Sequence, residues 1–143
     1  MTSVILATVL FHSAFLPIPE LRGPNLTKPF QNEMNITILY DNYASDERLA
    51  TGWGFAALLE TGSHTLLFDT GADGDALLEN MRILGKDPRA VEAVVISHAH
   101  GDHTGGLQAL FDLGLRPRLY VLAAFPHAFR QELAGLTQVL EAS

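Results

Sequence analysis

The chain has 143 residues, with 9 Lys and Arg against 16 Asp and Glu, which gives a formal net charge of −7. Its length fits one domain or part of one, and its 48% hydrophobic content excludes a disordered chain. The acidic balance argues against a partner bound through a nucleic-acid backbone. The absence of cysteine excludes a disulfide scaffold, a thiolate zinc site and an iron–sulfur cluster.

Residues 1–33 differ in character from the rest of the chain. An apolar run over Val4–Phe11 resumes at Ala14–Leu16, but it is too short for a stable membrane span of about 20 residues. Four prolines follow before Met34. Two interpretations stay open: a weak signal-like segment that directs export, or a spurious upstream extension of a cytoplasmic protein that starts at Met34.

From Met34 onward, strand-like and helix-like patterns alternate, as is typical of an α/β fold. Two of the predicted strands form a hairpin that turns at Gly62, and the strand over Glu92–Ser97 is expected to be covered on both faces. The predicted strands are Ile36–Tyr40, Gly54–Glu60, Thr65–Asp69, Glu92–Ser97 and Leu119–Leu122, and the predicted helices are Asp75–Leu84, Leu107–Leu113 and Pro126–Leu133.

Three histidines and an aspartate lie within six residues directly after the Glu92–Ser97 strand. If the backbone stays extended, His98 and His100 project to the same side. Gly101 permits a sharp turn, so that Asp102 and His103 can face the same cavity. One pair for each ion suits two adjacent divalent metals, with Zn²⁺ the leading candidate and Fe or Mn open. The alternative is a surface loop that happens to be rich in histidine, which this density of ligand-type residues disfavours.

The His-x-His-x-Asp-His pattern of residues 98–103 resembles that of the metallo-β-lactamase-fold superfamily. The resemblance implies an αββα sandwich in which Asp102 is a catalytic metal ligand. A second match is Leu67–Gly71, a strand that ends in Asp-Thr-Gly. It implies that Asp69 braces the metal loop from behind, whereas the alternative role for Asp69 is a turn or a helix cap.

Softer matches resemble one subgroup, the dihydropterin-linked ribofuranosylaminobenzene phosphate synthase-like proteins. The resemblance extends from Met34 to about His127, and members of the subgroup start close to the segment that matches Met34. The matching segments are Leu39–Asn42, Gly54-Phe55 with Leu58–Glu60, and Asn80-Met81 with Leu84-Gly85.

The chain also departs from the superfamily pattern. The resemblance implies two similar halves, of which the second adds one histidine to each metal and usually a bridging aspartate. Only 40 residues follow His103, and their single histidine, His127, comes too early in the topology. Residues 34–143 are therefore expected to form the N-terminal part of such a domain. A second copy or a complementing chain is a possible partner.

Three functions remain open at this point. The first is a hydrolase that uses a metal-bound hydroxide on an ester, amide or phosphoester bond of a small-molecule substrate. The second is a non-catalytic half-domain that binds metal weakly or pairs with another chain. The third, from the subgroup, is a pterin-related transferase. Of the remaining residues, Trp53 is expected to pack in a bulge, and the alternative is a place at the mouth of the active site. His64 and His127 are expected at the surface.

Overall fold

The computed structural model describes residues 33–142, so the predictions for residues 1–32 lie outside it. The predicted boundary between residues 33 and 34 stays a prediction. The strands are β1 Asn35–Tyr40, β2 Ala56–Glu60, β3 Thr65–Phe68, β4 Ala93–Val95, β5 Arg118–Leu122 and β6 Val139–Ala142. The helices are α1 Gly74–Ile83, α2 Gly101–Thr104, α3 Leu107–Asp112 and α4 His127–Ala134, with a 3₁₀ turn at Pro88–Ala90.

The six strands form a single sheet in the order β1-β2-β3-β4-β5-β6. The first three strands pair antiparallel, and β3 through β6 pair parallel. Parallel neighbours need a crossover connection, and helices lie in each of the three connections. The mixed sheet with its helices confirms the predicted α/β class.

The hydrophobic core lies between the sheet and the helices on one face, which we call the core face. Alternate residues of the strands point into it and are buried, as period-two patterning requires. Helix α1 starts at its N-cap Asp73, whose side chain accepts hydrogen bonds from the backbone N–H groups of Asp75 and Ala76. The central core residues are Leu39, Leu58, Leu67, Val94 and Leu119 from the sheet, with Leu77, Met81, Leu110 and Phe111 from the helices.

The opposite side of the sheet, which we call the open face, is lined by the other set of alternating residues. Ile36 and Ile38 are 36% and 46% exposed, and Val95 and Tyr120 are only half-buried. A shallow hollow of about 330 Å³ lies on this face. The prediction that the fourth strand is covered on both faces is therefore wrong for the described residues, since Val95 lines the hollow.

The buried Asn80 of α1 holds the long connection between β1 and β2 in place. Its side-chain amide nitrogen donates to the carbonyls of Leu39 and Ala50, each at 2.8 Å. Its oxygen accepts from the Ala50 backbone N–H, also at 2.8 Å. All of the amide's polar groups are thus engaged with backbone, which fixes the path of the chain toward Gly54.

The predicted strands and helices from Met34 to Leu133 are confirmed, with ends that shift by at most two residues. Three elements were missed: the 3₁₀ turn at Pro88–Ala90, the four-residue helix α2, which begins at Gly101, and the strand β6. Within residues 33–142, none of the helices has the length and apolar character that crossing a bilayer requires.

Candidate metal centre

The predicted metal ligands lie at the edge of the sheet where β3 and β4 end. Strand β4 ends at Val95, and the chain continues through His98 and His100 into helix α2. The neighbouring strand β3 ends at Phe68, so Asp69 comes out at the same edge. The carboxyl ends of parallel strands are the usual place for a ligand site in an α/β sheet.

The front of this loop carries three donor groups that converge. Single ligand atoms of His98, His100 and Asp102 all lie within 4.8 Å of one another. The ring centroids of His98 and His100 are 4.7 Å apart. His100 is exposed, whereas His98 and Asp102 are half-buried. A single ion could therefore reach all three side chains from the solvent side.

His103 joins the same cluster from the side of helix α2. Its ring centroid is 4.0 Å from that of His98. Its Nε2 atom lies 3.5 Å from an oxygen of Asp102. The structure thus brings together all four predicted ligands, and their division between one or two ions stays a prediction.

Asp69 lies behind the loop, and its side chain is only 1% exposed. One carboxylate oxygen accepts from the Ser97 backbone N–H at 2.7 Å. The other accepts from the Ser97 hydroxyl at 2.6 Å and lies 2.7 Å from His103 Nδ1. A proton on Nδ1 satisfies this contact and leaves Nε2 as the free donor atom that faces Asp102.

This arrangement fits the bracing role that the resemblance implies for Asp69. The alternative role of a helix cap falls to Asp73 instead, which caps α1. Asp69 also has a φ of 55°, a left-handed conformation that aspartate and asparagine tolerate better than most residues. The carboxylate therefore orients the loop from a position that few side chains could occupy.

Ser97 is a site residue that the sequence analysis missed. Its hydroxyl donates to Asp69 and lies 2.9 Å from His98 Nδ1. If His98 carries its proton on Nδ1 and donates it to the hydroxyl, its Nε2 is free to bind a metal. The sequence does show a serine between the strand and the first histidine, and this position could have indicated the contact.

Two backbone contacts hold the loop against its neighbours. The Thr70 hydroxyl donates to the His103 carbonyl at 2.9 Å and accepts from the Gly106 N–H at 3.2 Å. On the other side, Gly54 has a φ of 134°, and a Cβ there would lie 2.1 Å from the Asp102 carbonyl oxygen. Only glycine permits so close an approach of two backbones.

The prediction of a packed Trp53 is wrong. The side chain is 76% exposed, although the next residue, Gly54, touches the metal loop. The Gly54 N–H donates to the Asn42 side chain at 3.2 Å, which fixes this turn. Trp53 therefore stands in solvent close to the loop that carries Asp102.

The other histidines do not join the cluster. His127 is exposed at the start of α4, as predicted. His64 lies in the β2–β3 turn, at the opposite end of the parallel strands, where its Nδ1 atom is 3.1 Å from Glu92. This hydrogen bond holds the pKa of the Glu92 carboxyl below its usual range.

The donor set fits a divalent transition metal. Three imidazoles and a carboxylate, with no thiolate, suit Zn²⁺ and leave Fe or Mn open. Catalytic zinc sites have three protein ligands and keep one position for water. His98, His100 and Asp102 match that number within one loop.

Comparison with known proteins agrees with the site. The family model described as the metallo-beta-lactamase superfamily matches residues 53–139. The chain belongs to the metallo-β-lactamase superfamily. The matched segment contains the whole donor cluster together with Asp69, so the predicted family is confirmed.

Three relatives in the superfamily align with part of the chain. Anti-Pycsar protein Apyc1 of a Paenibacillus species is 39% identical over 87 residues, which are 52% of this chain and 34% of that protein. The 7,8-dihydropterin-6-methyl-4-(beta-D-ribofuranosyl)-aminobenzene-5'-phosphate synthase of Methanocaldococcus jannaschii is 38% identical over 58 residues, 38% of this chain and 20% of that one. Ribonuclease TTHA0252 of Thermus thermophilus is 40% identical over 72 residues, 50% and 17% of the two chains.

The fold has a solved counterpart in the metallo-beta-lactamase fold protein YhfI of Bacillus subtilis. The two chains superpose with a TM-score of 0.56 at 19% identity, over 77% of this chain and 46% of that one. This likeness shows the fold alone. The aligned part of this chain spans about a third or less of the length of the three curated relatives.

Proposed function

We propose that this chain carries the metal-binding loop of a metal-dependent hydrolase. The observation that supports the proposal is the convergence of His98, His100 and Asp102 at the carboxyl edge of the sheet. Members of the superfamily are for the most part hydrolases, and the relative from Thermus thermophilus is a ribonuclease. The reaction proposed is hydrolysis of an ester, amide or phosphoester bond in a small molecule.

His98 and His100 would hold one ion, and Asp102 with His103 would hold a second. If only one ion binds, His98, His100 and Asp102 would hold it. A divalent metal in such a site lowers the pKa of bound water toward about 7 and so supplies hydroxide at neutral pH. Asp102 would supply the carboxylate ligand of the cluster. This assignment makes it the catalytic residue of the cluster, as the resemblance implies.

The remaining residues of the site keep the donors in place. Asp69 and Ser97 contact the Nδ1 side of His103 and His98, which leaves the Nε2 atom of each ring free to bind a metal. Such contacts behind a ligand fix its tautomer and raise its basicity. The exposed position of His100 leaves the front of the cluster open to a substrate.

A non-catalytic role is the second candidate, and one observation favours it. The donor group found in residues 33–142 comes from a single loop, while the aligned relatives are about three to six times longer than the part they share with this chain. In that case the loop binds metal weakly, or the chain pairs with another chain. The pterin-related transferase is a third candidate, which similarity to the Methanocaldococcus synthase supports.

Zinc titration with elemental analysis of the purified chain tests whether the cluster binds metal. His100→Ala should abolish or greatly weaken zinc uptake, because it removes one of the three convergent donors. His127→Ala is the matched control, since it removes an exposed histidine outside the cluster. Equal zinc uptake by the two variants would show that the cluster does not bind metal.

Activity separates the candidate functions. A zinc-loaded chain that hydrolyses a chromogenic ester or phosphodiester, with turnover lost in His100→Ala, supports the hydrolase. Zinc uptake without turnover of either substrate favours the non-catalytic role. Stoichiometry gives the number of ions: one per chain points to the group of His98, His100 and Asp102, and two per chain include His103.

A further inference from the structure

We propose that Asn42 is a positioning residue of the metal centre, and that it acts on Asp102 through the backbone of the β1–β2 connection. This role rests on the proposed function, since Asp102 matters here as a metal ligand. Each step between the two residues is a contact formed within residues 33–142.

Helix α2 cannot fix the place of Asp102 by itself. It has only four residues, and the last four carbonyl groups of an α-helix have no partner inside the helix. The Asp102 carbonyl instead accepts from the Phe55 N–H at 3.4 Å. The carbonyl of the next ligand, His103, accepts from the Thr70 N–H at 2.8 Å. Two different neighbouring segments therefore hold these two adjacent ligands.

The two ligands differ in how else they are held. His103 Nδ1 lies 2.7 Å from the buried Asp69 carboxylate, and the Thr70 hydroxyl donates to the His103 carbonyl at 2.9 Å. Among the described contacts, the Asp102 carboxylate has only the one with His103 Nε2, at 3.5 Å. Because the backbone sets the direction in which a side chain leaves its Cα, the bond from Phe55 is the main control on the Asp102 carboxylate.

Gly54 is the residue that brings Phe55 to this carbonyl. A Cβ at position 54 would lie 2.1 Å from the Asp102 carbonyl oxygen and 3.3 Å from the Ala72 nitrogen, so the backbones are in direct contact. The Phe55 carbonyl accepts from the Gly71 N–H at 2.9 Å on its other side. Glycine reaches a φ of 134° easily, but it also has the greatest freedom to leave it. A further contact is needed to keep this conformation.

Asn42 supplies that contact from the end of β1. Its side-chain oxygen accepts from the Gly54 N–H at 3.2 Å. The carbonyl of Asp41 accepts from the Gly52 N–H, also at 3.2 Å, so two bonds close the connection just beyond the last strand pair. Asn42 is exposed, and a hydrogen bond of this kind contributes only about 1 kcal/mol to folding. Its loss should therefore move Gly54 and Asp102 without unfolding the chain.

Amide hydrogen exchange of the full metal-free chain, followed by NMR, tests the contact with Asp102. Asn42→Ala should speed exchange of the Phe55 amide at least about threefold, because its acceptor is no longer held in place. Ser45→Ala is the matched control, since Ser45 is exposed in the same connection and makes no side-chain hydrogen bond among the described contacts. Asn42→Asp keeps an acceptor oxygen at this position and should restore slow exchange.

Metal binding tests the consequence for the Asp102 side chain. Zinc affinity should fall about tenfold in Asn42→Ala, which is the lower end of the loss seen when contacts behind a metal ligand are removed. The absorption spectrum of the chain loaded with Co²⁺ should also change, because it depends on the geometry of the ligands. Asn42→Asp should recover the spectrum, and Ser45→Ala should match the unaltered chain in both measurements.

The two measurements separate this role from the proposed function. If the unaltered chain takes up no zinc, the proposed function fails, and exchange at Phe55 still decides whether Asn42 positions Asp102. Three results would overturn the role of Asn42: Phe55 exchange equal in Asn42→Ala and Ser45→Ala, an unchanged Co²⁺ spectrum in a metal-binding Asn42→Ala chain, or no recovery in Asn42→Asp. A loss of more than about 2 kcal/mol in urea unfolding of Asn42→Ala would also overturn it, because the residue would then support the whole fold.

Discussion

The two sides of the metal loop differ in how firmly their side chains are held. Behind the loop, the buried Asp69 carboxylate contacts Ser97 at two atoms and His103 at one. In front, His100 and Asp102 converge without a side-chain hydrogen bond to the protein among the described contacts, and His100 is exposed. The contacts behind the loop hold it rigidly, whereas the side chains in front of it are free to bind a metal ion.

Neighbouring residues of one loop therefore have different roles: those behind it orient the loop, and those in front are available to bind metal. Removing a residue from the back should lower the stability of the fold together with metal binding. Removing one from the front should lower metal binding alone. Substitutions on each side test this distinction. The largest losses of stability are expected for residues behind the loop.

Asp69→Ala should have the largest effect, a loss of about 3 kcal/mol in the free energy of unfolding. It leaves the Ser97 N–H and the His103 ring without their buried partner, and alanine tolerates the left-handed backbone of position 69 less well. Urea unfolding followed by circular dichroism measures it. Asp73→Ala is the control, since it should cost only about 1 kcal/mol through loss of a helix cap. Equal losses in the two variants would contradict the special role of Asp69.

Gly54→Ala should destabilise the chain by about 2 kcal/mol and weaken zinc binding as well. Its methyl group would lie 2.1 Å from the Asp102 carbonyl oxygen, at a φ of 134°, so the backbone must shift. Gly62→Ala is the matched control, because no atom lies within 4 Å of the added carbon. If Gly54→Ala behaves like Gly62→Ala in urea, the contact between the two loops is not tight.

His100→Ala should change the free energy of unfolding by less than about 0.5 kcal/mol in the absence of metal, because the side chain is exposed. With zinc present, the melting temperature of the unaltered chain should rise, since a ligand that binds only the folded state stabilises it. The variant should show little rise. Scanning calorimetry with and without zinc measures both effects, and a metal-free loss comparable to that of Asp69→Ala would erase the distinction between front and back.

Glu92→Gln should have the smallest effect, because the Glu92 and His64 side chains are exposed at the far end of the sheet. The lowered pKa of Glu92 means that the pair stabilises the fold above the usual glutamate pKa of about 4.3. That contribution is lost as the pH falls through the lowered pKa. Urea midpoints of Glu92→Gln and the unaltered chain should therefore converge in acid, and a gap that widens in acid would refute this sign.

The fold was largely predictable because its strands and helices carry clear periodic patterns. Strand β6 was missed because it has only four residues, too few for alternation to be recognised. Helix α2 was missed because it has only four residues and begins with Gly101, so the pattern indicated a turn. Short elements of this kind depend on contacts with the rest of the fold rather than on their own periodicity.

The four clustered ligands were predicted because they are adjacent in sequence. The Ser97 contact was missed because it depends on how two strand ends meet, which a linear pattern does not reveal. Trp53 was assigned to the interior from its flanking glycines. Those glycines instead let the chain lie close to the Tyr40 hydroxyl at Gly52 and to the Asp102 backbone at Gly54. The indole stays exposed.

The sequential strand order has a consequence for how the chain folds. Each strand pairs with the next one along the chain, so no strand has to wait for a partner that lies beyond the next connection. The loop at residues 97–106 can settle as soon as β3, α1 and β4 have assembled, before β5 and β6 are needed. During synthesis, the ligand cluster should therefore form early, while the C-terminal part of the chain is still leaving the ribosome.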